Sequence, residues 1–235
     1  MSTVPDHGLK ELVPVFGPGA LGVGAHGSFH AALERLSGQG DLKARLLLSA
    51  LSHFAAKGYD GVQVKEVAEE AGVSKPTLYY HFGSKEGLFR QLCLVSLSSM
   101  AVRIQAMVDP FLVEPIKGAK AAEDACLKLS RSYLSLLLES QEFTGFILRS
   151  IAVPSPDSSF RDLMPLVEKG LSPLGLFMHH VFGTSLEMAR KEVLLFTSLV
   201  GSLIEEKLRD PSYQITEDEI QWVSRRWLHG VLGSG

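Results

Sequence analysis

The chain has 235 residues, of which 46% are hydrophobic and 21% charged, and its formal net charge is −3. This length and composition indicate a folded globular protein and exclude both a disordered chain and a strongly basic one. The two cysteines, Cys93 and Cys126, each lie beside leucine and predict buried free thiols in a reducing compartment. Residues 1–10 lack the basic stretch and apolar run of a signal peptide, and the uncharged segment 12–29 contains two prolines and five glycines, which disfavour a membrane-spanning helix. The sequence therefore predicts a cytoplasmic protein with no membrane partner.

Residues 1–40 are rich in glycine and poor in charge, which predicts a flexible extension, either free or partly docked on the body, with a short helix at Phe29–Leu36 as an option. The segment Gly17-Pro18-Gly19-Ala20-Leu21-Gly22 fits the dinucleotide-binding pattern G-x-G-x-x-G. That pattern needs a strand before it and an acidic residue at the end of a second strand. Pro14 interrupts the preceding run, and Asp41 opens a helical pattern. We therefore expect no nucleotide site and no cofactor.

From residue 41 onward, apolar residues recur with the period of a helix, and no convincing alternating strand pattern occurs. Asp41 is suited to cap a first helix, and Gly58 to end it with a left-handed residue. Later helical patterns cover roughly 119–140, 142–152, 158–170, 173–183, 187–208 and 216–231. Such a succession of helices predicts an all-α bundle.

A helix-turn-helix is indicated between the first helix and a long fourth helix that Ser84 is suited to cap. The first of the two helices of this motif, which follows the helix capped by Asp41, is expected over residues 63–71. A tight turn is expected after it at Gly72, where glycine permits a positive φ. Ser74 then caps a very short helix that ends near His81. This geometry is the one that places the second helix in a DNA major groove.

The two faces of that short helix differ in character. Leu78 and Phe82 are four residues apart and are expected to anchor it in the core. The side chains left for the outer face are Lys75, Thr77, Tyr79 and His81. They provide a cation, hydroxyls, an imidazole and an aromatic edge, which suit phosphates and base edges. We expect the Tyr80 side chain to pack partly against the protein and to contact phosphate with the remainder of its surface.

Three blocks of sequence give residues 41–90 a resemblance to a known family. They are Gly58-Tyr59-Asp60-Gly61, Val67-Ala68 with Ala71-Gly72-Val73-Ser74, and Leu78-Tyr79-Tyr80-His81-Phe82 with Ser84-Lys85-Glu86. Through these blocks the domain resembles the DNA-binding domain of the TetR family of transcriptional regulators. By position, the resemblance implies DNA contacts for Gln63, Lys65, Ser74, Lys75, Pro76, Thr77, Tyr79, Tyr80, His81 and Lys85. Family members usually have Ser or Thr in place of Gln63, so a helix cap worth about 1 kcal/mol is expected to be missing.

The resemblance also implies a C-terminal body that binds a small-molecule effector. The body contains adaptable apolar side chains with a few polar groups nearby, the composition of a ligand pocket. These pocket candidates are Phe143, Phe146, Ile147, Met164, Leu174, Phe177, Met178 and Phe182, with Arg149 and His179. For most of these side chains the alternative is that they fill the hydrophobic core and line no pocket. No metal site is expected at His179-His180, because adjacent helical positions diverge and no third ligand is evident.

Residues 193–204 are apolar nearly all round, which predicts a helix buried on every side, either centrally or at a subunit contact. Ser198, Gly201 and Ser202 would allow a second helix to approach closely. Together with the last helix, this segment resembles the two helices per subunit that form the dimer interface in the TetR family. The dimer-interface candidates are Phe196, Leu199, Val200, Leu203, Ile204, Val223 and Trp227.

The sequence thus predicts an all-α regulator with three regions: an extension over 1–40, a helix-turn-helix domain over 41–90, and a sensing and dimerisation body over 91–235. The expected function is sequence-specific repression, in which a homodimer binds a palindromic operator in double-stranded DNA and an effector releases it. A transcriptional activator of the same fold and a helix-turn-helix used as an interaction or architectural module remain alternatives. An enzyme has least support, because no Ser/His/Asp arrangement, paired carboxylates or metal-ligand spacing stands out.

Overall fold

The computed structural model describes residues 29–139, 141, 144–147 and 164–232. All regular structure within these ranges is helical, which confirms the all-α prediction. The glycine motif at 17–22 and two pocket candidates, Phe143 and Arg149, lie outside the described residues.

The helices fall into two groups along the chain. The first group, which we call the head, comprises α1 (Phe29–Gly38), α2 (Leu42–Gly61), α3 (Val64–Glu70) and α4 (Lys75–Phe82). The long helix α5 (Lys85–Leu112) follows it. The second group, the body, comprises α6 (Ala119–Leu138), α7 (Met164–Phe182), α8 (Leu186–Arg209) and α9 (Glu217–Leu232), and residues 144–147 are also helical.

The predicted capping residues begin the helices that they were expected to begin. The Asp41 carboxylate accepts a hydrogen bond from the backbone N–H of Ala44 at 2.9 Å, and the Ser84 hydroxyl accepts one from Gly87 at 2.9 Å. Each cap satisfies a backbone donor that has no partner within its own helix. Gly58 has a φ of 69° and breaks the helical path within α2, as the sequence indicated.

Two separate hydrophobic clusters form the interior. The head cluster combines α1 to α4 with the first turns of α5, and it includes Leu33 of α1, which is fully buried. Residues 29–38 therefore pack on the head, although they belong to the segment expected to be an extension. The body cluster combines the rest of α5 with α6 to α9 around Trp227.

Helix α5 joins the two clusters, because Leu92 near its start lies in the head cluster and Ile104 further along lies in the body cluster. By length and composition α5 is apolar enough to cross a membrane, but 56% of its most apolar stretch is buried inside the protein. Helix α5 is therefore a continuous covalent connection between the two clusters.

One predicted boundary is wrong. The sequence indicated separate helices over 158–170 and 173–183, but α7 continues through Pro173 without a break. Proline has no N–H to donate to the carbonyl four residues earlier, which is that of Lys169. The hydroxyl of Ser172 donates to this carbonyl instead, at 2.7 Å. The substitute hydrogen bond allows the helix to pass the proline.

Candidate nucleic-acid interface and body cavity

The turn between α3 and α4 has the geometry of a helix-turn-helix. Gly72 has a φ of 68°, a conformation that side chains with a Cβ rarely adopt. The N–H of Gly72 donates to the Glu69 carbonyl at 3.0 Å, and the N–H of Val73 donates to the Ala68 carbonyl at 2.9 Å. These bonds satisfy the last carbonyls of α3 and set the direction in which α4 leaves the turn.

Helix α4 is anchored at its start and along its inner face. The Ser74 hydroxyl accepts a hydrogen bond from the N–H of Thr77 at 3.3 Å, and the two hydroxyl oxygens are 2.8 Å apart. Leu78 is completely buried, and Phe82 is half-buried against the head cluster. The anchoring predicted for this helix is therefore present.

The outer face of α4 is open to solvent. Tyr79 is 36% exposed and its side chain lies beside Lys75, whose ammonium is 5.6 Å from the ring centroid. Tyr80 is 86% exposed, so the expectation that it packs partly in the core is wrong. Of the ten predicted DNA-contacting residues, Thr77, His81 and Lys85 are half-buried, and Gln63, Lys65, Ser74, Lys75, Pro76, Tyr79 and Tyr80 are exposed. None of the ten is fully buried by the described part of the protein.

The start of α3 is weakly capped. Gln63 occupies the N-cap position but its side chain makes no capping hydrogen bond, as the departure from the family pattern predicted. Nearby, the ammonium of Lys65 lies 3.5 Å from the carboxylate of Glu69 on the exposed surface. An exposed pair of this kind is worth well under about 1 kcal/mol, so Lys65 stays available for a stronger anionic partner.

Lys85 lies at the first turn of α5, where the helix dipole favours anions. Its ammonium donates to the Asp60 carbonyl at 3.3 Å and lies 4.7 Å from the Tyr59 ring centroid. Both contacts hold the ammonium close to the head surface between the ends of α2 and α5. A phosphate at this point would meet a positioned cation and a positive helix end together.

Two of the three acidic side chains of α3, Glu66 and Glu70, are held against α2. Lys57 and Glu66 form an ion pair at 2.7 Å, and His53 lies 2.7 Å from the Glu70 carboxylate. The hydrogen bond from Lys57 is the main reason that the pKa of Glu66 is lowered from its ordinary value. Beneath them, the buried Ser49 hydroxyl donates to the Val67 carbonyl at 3.1 Å. These contacts fix α3 on α2 and direct two of its negative charges toward α2.

A cavity of about 370 Å³ lies in the body, between α5, α6, α7, α8 and residues 144–147. Its walls are mostly apolar, with a few hydroxyls and one carboxyl group. The lining residues are Leu97, Met100, Ile104, Tyr133, Leu137, Thr144, Ile147, Val167, Gly170, Leu171, Leu194, Thr197, Ser198, Gly201, Ser202 and Glu205. Its size falls within the range of sites that hold drug-sized molecules.

Most of the predicted pocket residues do not line this cavity. Among those the structure describes, Ile147 does. Phe146 is buried in the head cluster, and Leu174, Phe177 and Met178 are buried in the body cluster. Phe182 is half-buried beside Trp227, and the exposed His179 has its Nδ1 atom 2.6 Å from the Thr184 carbonyl oxygen. Met164 belongs to α7, and its side chain lies outside the described part.

Sequence reasoning missed the contributions of α5 and α8 to the cavity. The signal was present in α8, where Thr197, Ser198, Gly201 and Ser202 interrupt an apolar run with small side chains. Three of them, Ser198, Gly201 and Ser202, are predicted from the sequence to allow close approach of a second helix. Small side chains also leave space that no neighbour fills, and here they line one wall of the cavity.

Five of the predicted dimer-interface residues are buried inside the subunit itself. Phe196, Val200, Ile204, Val223 and Trp227 are at most 2% exposed, and all belong to the body cluster. They fill the core, where Phe196 and Trp227 stack with ring centroids 4.2 Å apart, so they offer no surface to a partner. Leu199 and Leu203 are half-buried.

Other apolar side chains on the last two helices are open to solvent. Met188 and Leu195 of α8 are 39% and 44% exposed, and Trp222 of α9 is 57% exposed. Met188, Leu195 and Leu199 follow one another at seven and four residues, a spacing that places them on one flank of α8.

Comparison with known proteins agrees with the helix-turn-helix geometry. Residues 46–92 match the family model described as bacterial regulatory proteins, tetR family. The chain is 24% identical over 198 residues to the HTH-type transcriptional regulator YdgC of Bacillus subtilis. This alignment covers 82% of the chain and 94% of YdgC. Over 50 residues it is 36% identical to IcaR of Staphylococcus aureus, the negative regulator of a biofilm operon, and this covers 21% of the chain and 27% of IcaR.

Solved structures share the fold over most of the chain. A TetR-family regulator from Mesorhizobium loti superposes with a TM-score of 0.64 at 21% identity, covering 83% of this chain and 96% of that one. The regulator FadR of Bacillus subtilis, solved in complex with stearoyl-CoA, superposes with a TM-score of 0.58 at 18% identity, covering 81% and 98%.

Proposed function

Since the chain is a DNA-binding transcriptional regulator of the TetR type, we propose that it is a cytoplasmic repressor. In this proposal a homodimer binds a palindromic operator in double-stranded DNA, and a small molecule in the body cavity releases it. The observation that carries the proposal is α4 itself, with Leu78 completely buried on one face and Tyr79 and Tyr80 exposed on the other.

We propose that α4 enters the major groove. Lys75, Thr77 and Tyr79 then meet base edges and adjacent phosphates, while Lys65 and Lys85 hold phosphates on either side. The Ser74 hydroxyl restrains Thr77, which lowers the entropy lost when Thr77 forms a contact. Only a few cations are involved, so the near-neutral net charge of the chain is compatible with this role.

The dimer in this proposal forms through α8 and α9. Its support is the exposed apolar surface of Met188, Leu195 and Trp222, because large apolar side chains at the surface of a monomer commonly mark a contact site. Two-fold symmetry then presents two α4 helices to two half-sites about one helical turn apart.

The body cavity is the proposed sensing site, and Ile147 connects it to the head. Ile147 lines the cavity, and the neighbouring Phe146 packs against Phe54 and Phe89 in the head cluster. Leu97 belongs to both the cavity wall and the head cluster. A ligand that prefers one position of these residues biases the angle between head and body, and hence the spacing of the two α4 helices.

Selection of bound sequences from a random pool of double-stranded DNA tests the proposal. We expect a two-fold repeat whose half-sites lie one turn apart, and binding of one dimer per repeat when measured by mass. Selection of unrelated sequences, or of a site without two-fold symmetry, would contradict it. Reporter expression from a promoter that contains the selected site then separates repression from activation.

A further inference from the structure

The polar atoms of the body cavity share one chemical property. Along α8, the Thr197 hydroxyl donates to the Val193 carbonyl at 2.9 Å and the Ser198 hydroxyl donates to Leu194 at 2.7 Å. The Ser202 hydroxyl donates to Leu199 at 2.8 Å. Across the cavity, the Thr144 hydroxyl donates to the carbonyl of Leu137. Each of these hydroxyls has thus used its proton within the protein and presents only lone pairs to an occupant.

Glu205 adds the one carboxyl group of the described lining. It lies on the same flank of α8 as Leu194, Ser198 and Gly201, since these positions are spaced by four, three and four residues. Among the lining residues that the structure describes, Lys, Arg and His do not occur. The described walls therefore offer apolar contact, a row of acceptors and one acidic group, with Tyr133 as the side chain that can donate.

From this arrangement we propose that the cavity takes a lipophilic amine: an apolar body that carries a protonated nitrogen directed to Glu205. Burying the apolar part supplies most of the affinity, and the acceptor row with Glu205 orients the donor end. An anionic group at that end would face the lone pairs of the hydroxyls and the Glu205 carboxylate, so its binding would be unfavourable. The inference rests on the proposed sensing role of the cavity and assigns the chemical class of its ligand. It separates this chain from the FadR neighbour, which was solved with stearoyl-CoA.

Three probes with the same ten-carbon chain test the ligand class: decylammonium, decanol and decanoate, titrated into the full-length protein by calorimetry below their aggregation limits. We expect decylammonium to bind most tightly and decanoate least. Glu205→Gln should weaken decylammonium about five- to tenfold, since one partly exposed ion pair is lost, and leave decanol within about twofold. Glu187→Gln is the matched control, because Glu187 lies on α8, pairs with Lys191 and does not line the cavity.

Ser198→Trp, which fills the cavity from an exposed position of α8, should abolish binding of the probes. The inference is overturned if decanoate binds more tightly than decylammonium, if Glu205→Gln leaves decylammonium affinity unchanged, or if Ser198→Trp still binds decylammonium. Operator affinity, measured in the presence of each of the three probes, separates the regulatory proposal from the proposal about the ligand class. If decylammonium binds through Glu205 without weakening operator binding, the regulatory proposal fails and the ligand class stands. If decanoate alone releases the operator and Ser198→Trp prevents this, the regulatory proposal stands and the ligand class is wrong.

Discussion

The ring of Phe146 meets the ring of Phe89 edge to face, with centroids 5.5 Å apart. Phe89 belongs to the first turns of α5 in the head, whereas Phe146 comes from the chain that follows α6. Both side chains are at most 3% exposed, and Ile147, next to Phe146, lines the body cavity. The contact between Phe146 and Phe89 therefore lies in the head cluster that supports α4. It is also one residue along the chain from Ile147, which borders the proposed ligand site.

We predict that Phe89 and Phe146 are energetically coupled. Each change to Leu should destabilise the protein, and the double variant Phe89→Leu/Phe146→Leu should lose less than the sum of the two, by about 0.5–1.5 kcal/mol. The measurement is urea-induced unfolding of the four proteins of this cycle, monitored by tryptophan fluorescence.

Phe111 supplies the control for this cycle, because it pairs with Phe177 in the body, with centroids 5.2 Å apart. Phe89→Leu combined with Phe111→Leu should be additive within about 0.5 kcal/mol, since the two residues belong to different clusters. Equal coupling in both cycles would mean that the non-additivity does not arise from the contact between Phe89 and Phe146.

Tyr79→Ala and Thr77→Ala should each reduce affinity for the selected operator by roughly 1–3 kcal/mol if these side chains contact base edges. Lys75→Ala should instead weaken specific and non-specific DNA about equally and make the slope of log K against log salt shallower by about 1. Fluorescence anisotropy with operator and scrambled duplexes at several salt concentrations measures both effects.

Thr77→Val refines this prediction, because valine keeps the shape of threonine but lacks the hydroxyl that lies 2.8 Å from the Ser74 hydroxyl. Lys120→Ala is the control for the lysine change, since Lys120 is exposed on α6 in the body. If the Thr77 and Tyr79 variants bind the operator as tightly as the wild type, α4 does not read the bases.

The head could be predicted from sequence because its determinants are local. Asp41, Gly72 and Ser74 each act within four residues of their own position, and the structure shows the cap, the positive φ and the second cap that they predict. The helical period alone was sufficient to predict that Leu78 faces inward, and the side chain is buried. Tyr80 was harder, because its exposure depends on how the helices of the head pack around the end of α4.

The body could be predicted only as a set of helices, since its cavity and surfaces depend on contacts between distant segments. An apolar pattern marks Phe177 and Ile147 alike, but one fills the core and the other borders a void. The same ambiguity affects α8, where the apolar pattern predicts that Phe196 contacts a partner subunit. Its own neighbours α6 and α9 cover that side chain, which stacks on Trp227 and lies beside Tyr133.

Trp222→Glu and Leu195→Glu should each weaken the dimer, because either places a charge on apolar surface that the proposed interface buries. We expect at least a tenfold rise in the dimer dissociation constant, or about 1.4 kcal/mol, measured by sedimentation. Val113→Glu is the control, since Val113 is 80% exposed and directly follows α5, so it belongs to neither helix of the proposed interface. A dimer that resists both glutamates would place the interface elsewhere.

Glu192 of α8 is expected to cost stability at neutral pH. The residue is only 7% exposed, and its Oε2 atom has no hydrogen-bond partner in the described structure. Burial raises the pKa of this carboxyl group above its ordinary value of 4.5, so the folded state binds a proton more readily than the unfolded state. The charged form therefore destabilises the fold above the raised pKa, and this cost disappears as the pH falls through it toward 4.5.

Glu192→Gln should consequently raise the free energy of unfolding by about 1 kcal/mol near pH 7 and lose this advantage near pH 4.5. Urea unfolding of variant and wild type at the two pH values measures the difference, and comparison at each pH cancels the titration of all other groups. Glu187→Gln on the same helix, where the side chain is 82% exposed, should show almost no effect. A variant that is less stable than the wild type near pH 7 would mean that the Glu192 carboxylate is paired with a cation in the folded protein.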